Sequence, residues 1–136
     1  MFWLEKSFTF EAMHYLTFHD GKCRRPHGHS YQVTIRLSGT KLETQGPKKN
    51  MLTDFSCVSR VCQNLKEKYL DHYCLNETLQ TDSPTSEFIA KWIYEQLKPQ
   101  LPLLTAVMVS ETQSTRVWYQ PETTFNNHNT HNSSQE

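Results

Sequence analysis

From His29 to Ser38 the chain alternates without a break. His29, Tyr31, Val33, Ile35 and Leu37 fall on one parity, and Ser30, Gln32, Thr34 and Arg36 on the other. Period two is the pattern of an extended strand with one face in a core and the other in water. Residues 2–15 carry the same pattern, with Phe8, Phe10, Ala12 and His14 on one face and Thr9 and Glu11 on the other. Both apolar rows end in imidazole: His14 closes the first, and His29, with His27 two residues earlier, opens the second. Antiparallel pairing of these two strands brings His14, His27 and His29 together.

The second row is entered through Cys23-Arg24-Arg25-Pro26-His27-Gly28-His29. Residues i and i+2 of an extended chain point the same way, so His27 and His29 can face one ion, with Gly28 allowing close approach. Paired histidines on a strand are by themselves ordinary; a third on the matching parity of the neighbouring strand makes a metal site the better reading. Neutral imidazole nitrogens suit Zn²⁺, and three of them leave one tetrahedral position open, as in catalytic rather than structural zinc sites. Such an ion works as a Lewis acid on a bound hydroxyl or carbonyl. Cys23 lies between Lys22 and Arg24-Arg25, where cations favour the thiolate, so it can serve as base or nucleophile. It can equally be a fourth zinc ligand that closes the site, and the spacing leaves both readings open.

The remaining chain reads as follows. Gly39 to Asn50 is a polar, turn-rich connection. Asp54 caps a predicted helix from Phe55 to about Tyr69, with Phe55, Val58, Cys62, Leu65 and Tyr69 at helical spacing. A second helix starts with Ser83 as cap and Pro84 at its first position, and Pro99 and Pro102 end it. Two strands, 106–112 and 115–120, follow. The order strand-strand-helix-helix-strand-strand is an α+β pattern with helices on one face of an antiparallel sheet. The opposite face, with Thr9, Glu11, Gln32, Thr34 and Arg36, is polar enough to line a solvated tunnel in an oligomer. Residues 1–121 are expected to form one domain, and 122–136, with one aromatic and no periodicity, a disordered tail.

Composition narrows the function classes. Lys+Arg and Asp+Glu number 14 each, so no net field favours nucleic acid or an anionic membrane. A hydrophobic content of 36% is low for a self-sufficient core and points to partner subunits. No apolar run approaches the ~20 residues of a membrane span. The start MFWLEKSF carries an acid and no small-residue cleavage site, so no leader is expected and the cytoplasm is the expected compartment. The four cysteines are then expected to be reduced. Cys57 and Cys62, on different faces of the first helix, read as small core residues.

Two further places carry chemistry. Asp71-His72, at a helix end, would in isolation read as a cap beside a solvated imidazole; in this setting the carboxylate beside the imidazole offers an oriented acid/base pair. Glu111 continues the parity of Val107 and Val109 in an apolar row, where a carboxylate needs a partner such as the cationic or amide-like edge of a ligand. His19, His128 and His131 are assigned no role.

On these residues the chain resembles the 6-pyruvoyl-tetrahydropterin synthase/QueD family, through FEAMH, CRRPHGHSY, LTDF, LDHYCLN, SPTSEFIAKWI and LLTAVMVSET, from about Phe8 to Tyr119. The short gap between Cys23 and the HGH is most similar to the branch that forms 6-carboxytetrahydropterin. The resemblance implies a tunnelling fold (T-fold), in which four-stranded sheets join in a closed homo-oligomeric barrel with active sites between subunits. It implies Zn²⁺ on His14, His27 and His29, Cys23 as catalytic base, His72 as relay histidine supported by Asp71, and Glu111 as the residue that joins the relay and grips the pterin ring. The implied substrate is 7,8-dihydroneopterin triphosphate, and the products are 6-carboxy-5,6,7,8-tetrahydropterin, acetaldehyde and triphosphate, in queuosine biosynthesis. The rival readings are a pyruvoyl-forming or sepiapterin-processing enzyme on the same scaffold, and a non-catalytic module stabilised by a Cys-His₃ zinc. Lys22, Arg24 and Arg25 are candidates for the triphosphate on charge alone.

Overall fold

A computed structural model describes residues 1–122. The expected tail lies almost wholly outside the described residues. Strands β1 (Phe2–His14), β2 (His27–Gly39), β3 (Leu104–Ser110) and β4 (Val117–Tyr119) form one antiparallel sheet in the order β1-β2-β3-β4. The β1–β2 register runs unbroken from Phe2 opposite Gly39 to His14 opposite His27. β2 thus begins two residues before the strict alternation, and this extension sets His27 directly across from His14.

The apolar parities point one way, as the pattern requires. Phe10, Ala12, Tyr31, Val33, Ile35 and Leu37 are buried, and Val107 and Val109 of β3 join them. Helices cover this face. α1 (Phe55–Leu65) contributes Val58, Cys62 and Leu65, and α3 (Ser86–Leu97) contributes Ile89, Ala90, Ile93 and Leu97. On the other face Ser7 and Thr34 share a hydrogen bond of 2.7 Å, and Arg36 binds Glu5 while lying between the Trp3 and Trp118 rings. Burying a polar row there would strand these groups unless water or a second chain met them.

Several boundaries differ from the expectation. The first helix is capped by Asp54, which accepts from the Ser56 N–H, but it turns into a π-helical segment at Lys66–Leu70 rather than running on as α. A short helix α2 (Leu75–Thr78) follows and was not anticipated. The second long helix is capped by Thr85, whose hydroxyl accepts from the Phe88 N–H, not by Ser83, and Pro84 lies before the helix. Cys57 is half-exposed beside the Lys48 ammonium at 3.7 Å, so of the two α1 cysteines only Cys62 is a core residue. All four cysteines are free thiols. Gly28 meets Ala12 O at an ordinary 3.6 Å from where a Cβ would stand, so sterics within the chain do not demand glycine there.

Candidate metal centre and active-site recess

His14, His27 and His29 each direct one ring nitrogen to a common point, the three atoms lying within 4.8 Å of one another. The tautomers follow from the hydrogen bonds. His14 Nδ1 is 2.8 Å from Pro84 O, and His27 Nδ1 is 2.7 Å from Arg25 O. A carbonyl can only accept, so each Nδ1 carries the proton and each Nε2 presents its lone pair. Among the described residues, His14 Nε2, His29 Nε2 and the Tyr31 hydroxyl below them are buried without a hydrogen-bond partner. Buried polar atoms are paired almost without exception, so two orphaned ring nitrogens in one group of three histidines suit a cation site. Burial also pushes the His14 imidazole below its ordinary pKa, which keeps it neutral and able to ligate.

The supports were not all legible beforehand. Pro84 orients His14 through its carbonyl; its ring suggested only a helix start. Asn76 clamps the backbone just past His14, accepting from the Tyr15 N–H at 3.0 Å and donating to Tyr15 O at 2.8 Å. It is buried, in the LDHYCLN stretch, where a polar side chain one residue past a buried leucine was the available signal.

Around the histidines opens a recess of about 400 Å³ lined by Lys22, Cys23, His27, His29 and Glu111. Cys23 sits in a 3₁₀ turn, Lys22–Arg24, half-exposed and outside the metal-binding group. Glu111 lies one residue beyond the end of β3, on the parity the sequence suggested, with its carboxylate oxygens 3.8 Å from His14 Nε2 and 3.7 Å from His29 Nε2. Tyr31, stacked on Phe10 at 4.8 Å and edge-on to the His14 and His29 rings, floors the site with a hydroxyl that burial keeps protonated.

Asp71 and His72 stand elsewhere. Asp71 accepts from the Glu11 N–H at 2.9 Å, which holds its carboxyl below the usual carboxylate range, and it takes His72 Nδ1 at 3.0 Å. His72 has φ 64°, a left-handed backbone for which its N–H bond to Glu11 O compensates. Its ring is 78% exposed and lines a groove with Glu11, Gly28, Ser30 and Tyr73. The two recesses share His29; His72 lines one and Cys23 the other.

An antiparallel sheet backed by helices on one face, with three histidines gathered at its end, defines an α+β domain with a group compatible with a metal site. The 6-pyruvoyl tetrahydropterin synthase profile matches residues 3–122, and the chain belongs to that family. It is 42% identical over 120 residues to the 6-carboxy-5,6,7,8-tetrahydropterin synthase of Synechocystis sp., covering 88% of this chain and 93% of that one. The Haemophilus influenzae protein of the same name is 30% identical over 88% of this chain and 99% of its own length. Among solved structures, the 6-pyruvoyl tetrahydropterin synthase of Caenorhabditis elegans superposes with a TM-score of 0.77 at 25% identity, covering 89% of this chain and 96% of that one.

Proposed function

We propose that this chain is a 6-carboxy-5,6,7,8-tetrahydropterin synthase, a lyase that acts on 7,8-dihydroneopterin triphosphate and releases acetaldehyde and triphosphate, in queuosine biosynthesis in the cytoplasm. The observation that carries the reading is the pair of orphaned Nε2 atoms on His14 and His29 next to a recess lined by a free thiol and a carboxylate. The names of the Synechocystis and Haemophilus relatives support the same branch over the pyruvoyl-forming one.

His14, His27 and His29 would hold Zn²⁺, which as a Lewis acid would acidify the carbon centres next to the side-chain oxygens it binds. Cys23 takes the proton from such a carbon as the general base. His72, held by Asp71 through Nδ1, presents Nε2 as the group that returns a proton to the ring. Glu111 accepts from the paired N–H donors of the pterin edge. Because His72 and Cys23 open into different recesses, the complete site takes His72 from a neighbouring copy in a homo-oligomeric barrel. The Cys-His₃ alternative is disfavoured by the place of Cys23 outside the group of three histidines.

The test is incubation of the zinc-loaded protein with dihydroneopterin triphosphate and identification of products by mass. Acetaldehyde and the 6-carboxypterin are expected; a 6-pyruvoyl product, or no turnover, overturns the reading.

A further inference from the structure

The turn that carries Cys23 also carries three cations, Lys22, Arg24 and Arg25, that belong neither to the group of three histidines nor to the proton relay. Lys22, Arg24 and Arg25 are exposed, and among the described residues none of them pairs with a carboxylate. By contrast Arg36 is paired with Glu5 and Lys48 with Asp54. A run of unpaired cations is commonly a solvated face, so its placement has to decide.

The placement is fixed by backbone bonds. Arg24 N–H donates to Gly21 O and Arg25 N–H to Lys22 O, which closes the turn. Cys23 O accepts from the Leu16 N–H at 2.8 Å, and Arg25 O accepts from His27 Nδ1 at 2.7 Å. The basic turn is thereby tied directly to a metal ligand, and Lys22 stands in the wall of the recess with Cys23, His27, His29 and Glu111. A turn whose backbone is held before a ligand arrives loses little backbone freedom when one binds.

We propose that Lys22, with Arg24 and Arg25 of the same turn, forms the subsite that binds the triphosphate of the substrate and sets the preference for a triphosphate ester over a monophosphorylated or unphosphorylated pterin. This rests on the function proposed above. With Glu111 taking the ring edge and the histidines the side-chain oxygens, the ester at the far end of the side chain falls on the remaining wall, where Lys22 is. Three cations on one short turn match a polyanion better than a single phosphate, and lysine and arginine donors make charge-assisted bonds to phosphoryl oxygens. The chain has no net charge to attract an anion from a distance, so the preference is local to this turn.

The experiment compares the metal-loaded wild type, Lys22→Ala, the double variant Arg24→Ala/Arg25→Ala, and Lys91→Ala, which removes an exposed charge from α3 outside the recess. Calorimetry with inorganic triphosphate and with inorganic phosphate is read beside KM for dihydroneopterin triphosphate and beside metal content. Lys22→Ala and the double variant are expected to weaken triphosphate binding roughly tenfold or more and to raise KM in step. Metal content stays at the wild-type level, Lys91→Ala behaves as wild type, and inorganic phosphate binds less tightly than triphosphate. Unchanged triphosphate affinity in both variants, or equal affinity for phosphate and triphosphate, overturns the subsite. A wild type that turns the ester over while the variants keep its KM removes the subsite alone. A wild type that binds inorganic triphosphate at this turn but leaves the ester intact removes the proposed reaction and supports the subsite.

Discussion

Of the three candidate ligands His14 is the buried one, at 2% exposure, while His27 and His29 reach the recess. Its pKa is lowered from the ordinary 6.5 chiefly by burial, so near pH 6 the unfolded chain binds more protons at this residue than the folded one. The stability of the metal-free protein should therefore fall as pH drops through 6.5 and level off once the folded ring is also protonated. Thermal melts between about pH 7.5 and 5.5 read that slope, and His14→Gln should flatten it; an unchanged slope in the variant would count against the burial argument. His27→Ala and His29→Ala should each lose most of the bound metal, and elemental analysis showing full occupancy in both would remove them as ligands. The three histidines were legible in the sequence because strand parity is strict and their rows are otherwise apolar. What parity could not give was the Nδ1 partners, since Pro84 O and Arg25 O are backbone groups that carry no residue signal.

At the scale of elements, β1 is held at its functional end from outside the sheet. The segment after the π-helical turn pairs with its outer edge, through His72 N–H to Glu11 O and Met13 N–H to Tyr73 O, and Asn76 clamps Tyr15. None of these contacts follows from periodicity, because they join irregular backbone to a strand some 60 residues away in sequence. The helix boundaries show the same limit. Ser83-Pro84 has the composition of a helix start, yet Thr85 is the cap, because Pro84 is held where its carbonyl meets His14. Thr85→Ala should cost about 1 kcal/mol of stability through loss of the cap to Phe88 N–H. In a domain of this size that is a fall in Tm of about 4 °C, and an unchanged Tm would show that the cap adds nothing here.

At the scale of the molecule, the sheet formed by the described residues has two edges, β1 and β4. β4 is a three-residue edge, and among the described residues the outer edge of β1 is hydrogen-bonded only near Glu11 and Met13. Open edges and a polar, uncovered sheet face are resolved together when copies join edge to edge into a barrel. The alternating pattern made the two-faced sheet legible, but nothing in one chain's sequence counts its copies. If the complete site draws His72 and Cys23 from different copies, Cys23→Ala and His72→Ala homo-oligomers should both be inactive, and hybrids assembled from the two should regain turnover. Hybrids of confirmed mixed composition that stay inactive would place both residues in one chain's site.

The central claim is that metal and base are separate parts of one recess, so that the ion keeps an open position for substrate. Metal content and turnover measured on the same preparation of Cys23→Ala test it most directly. The expected result is wild-type zinc and an intact fold with turnover reduced by roughly 10²–10⁴-fold, the usual contribution of a general base. A Cys23→Ala protein that loses its zinc and its fold together would make the thiol a fourth ligand, and would contradict the claim.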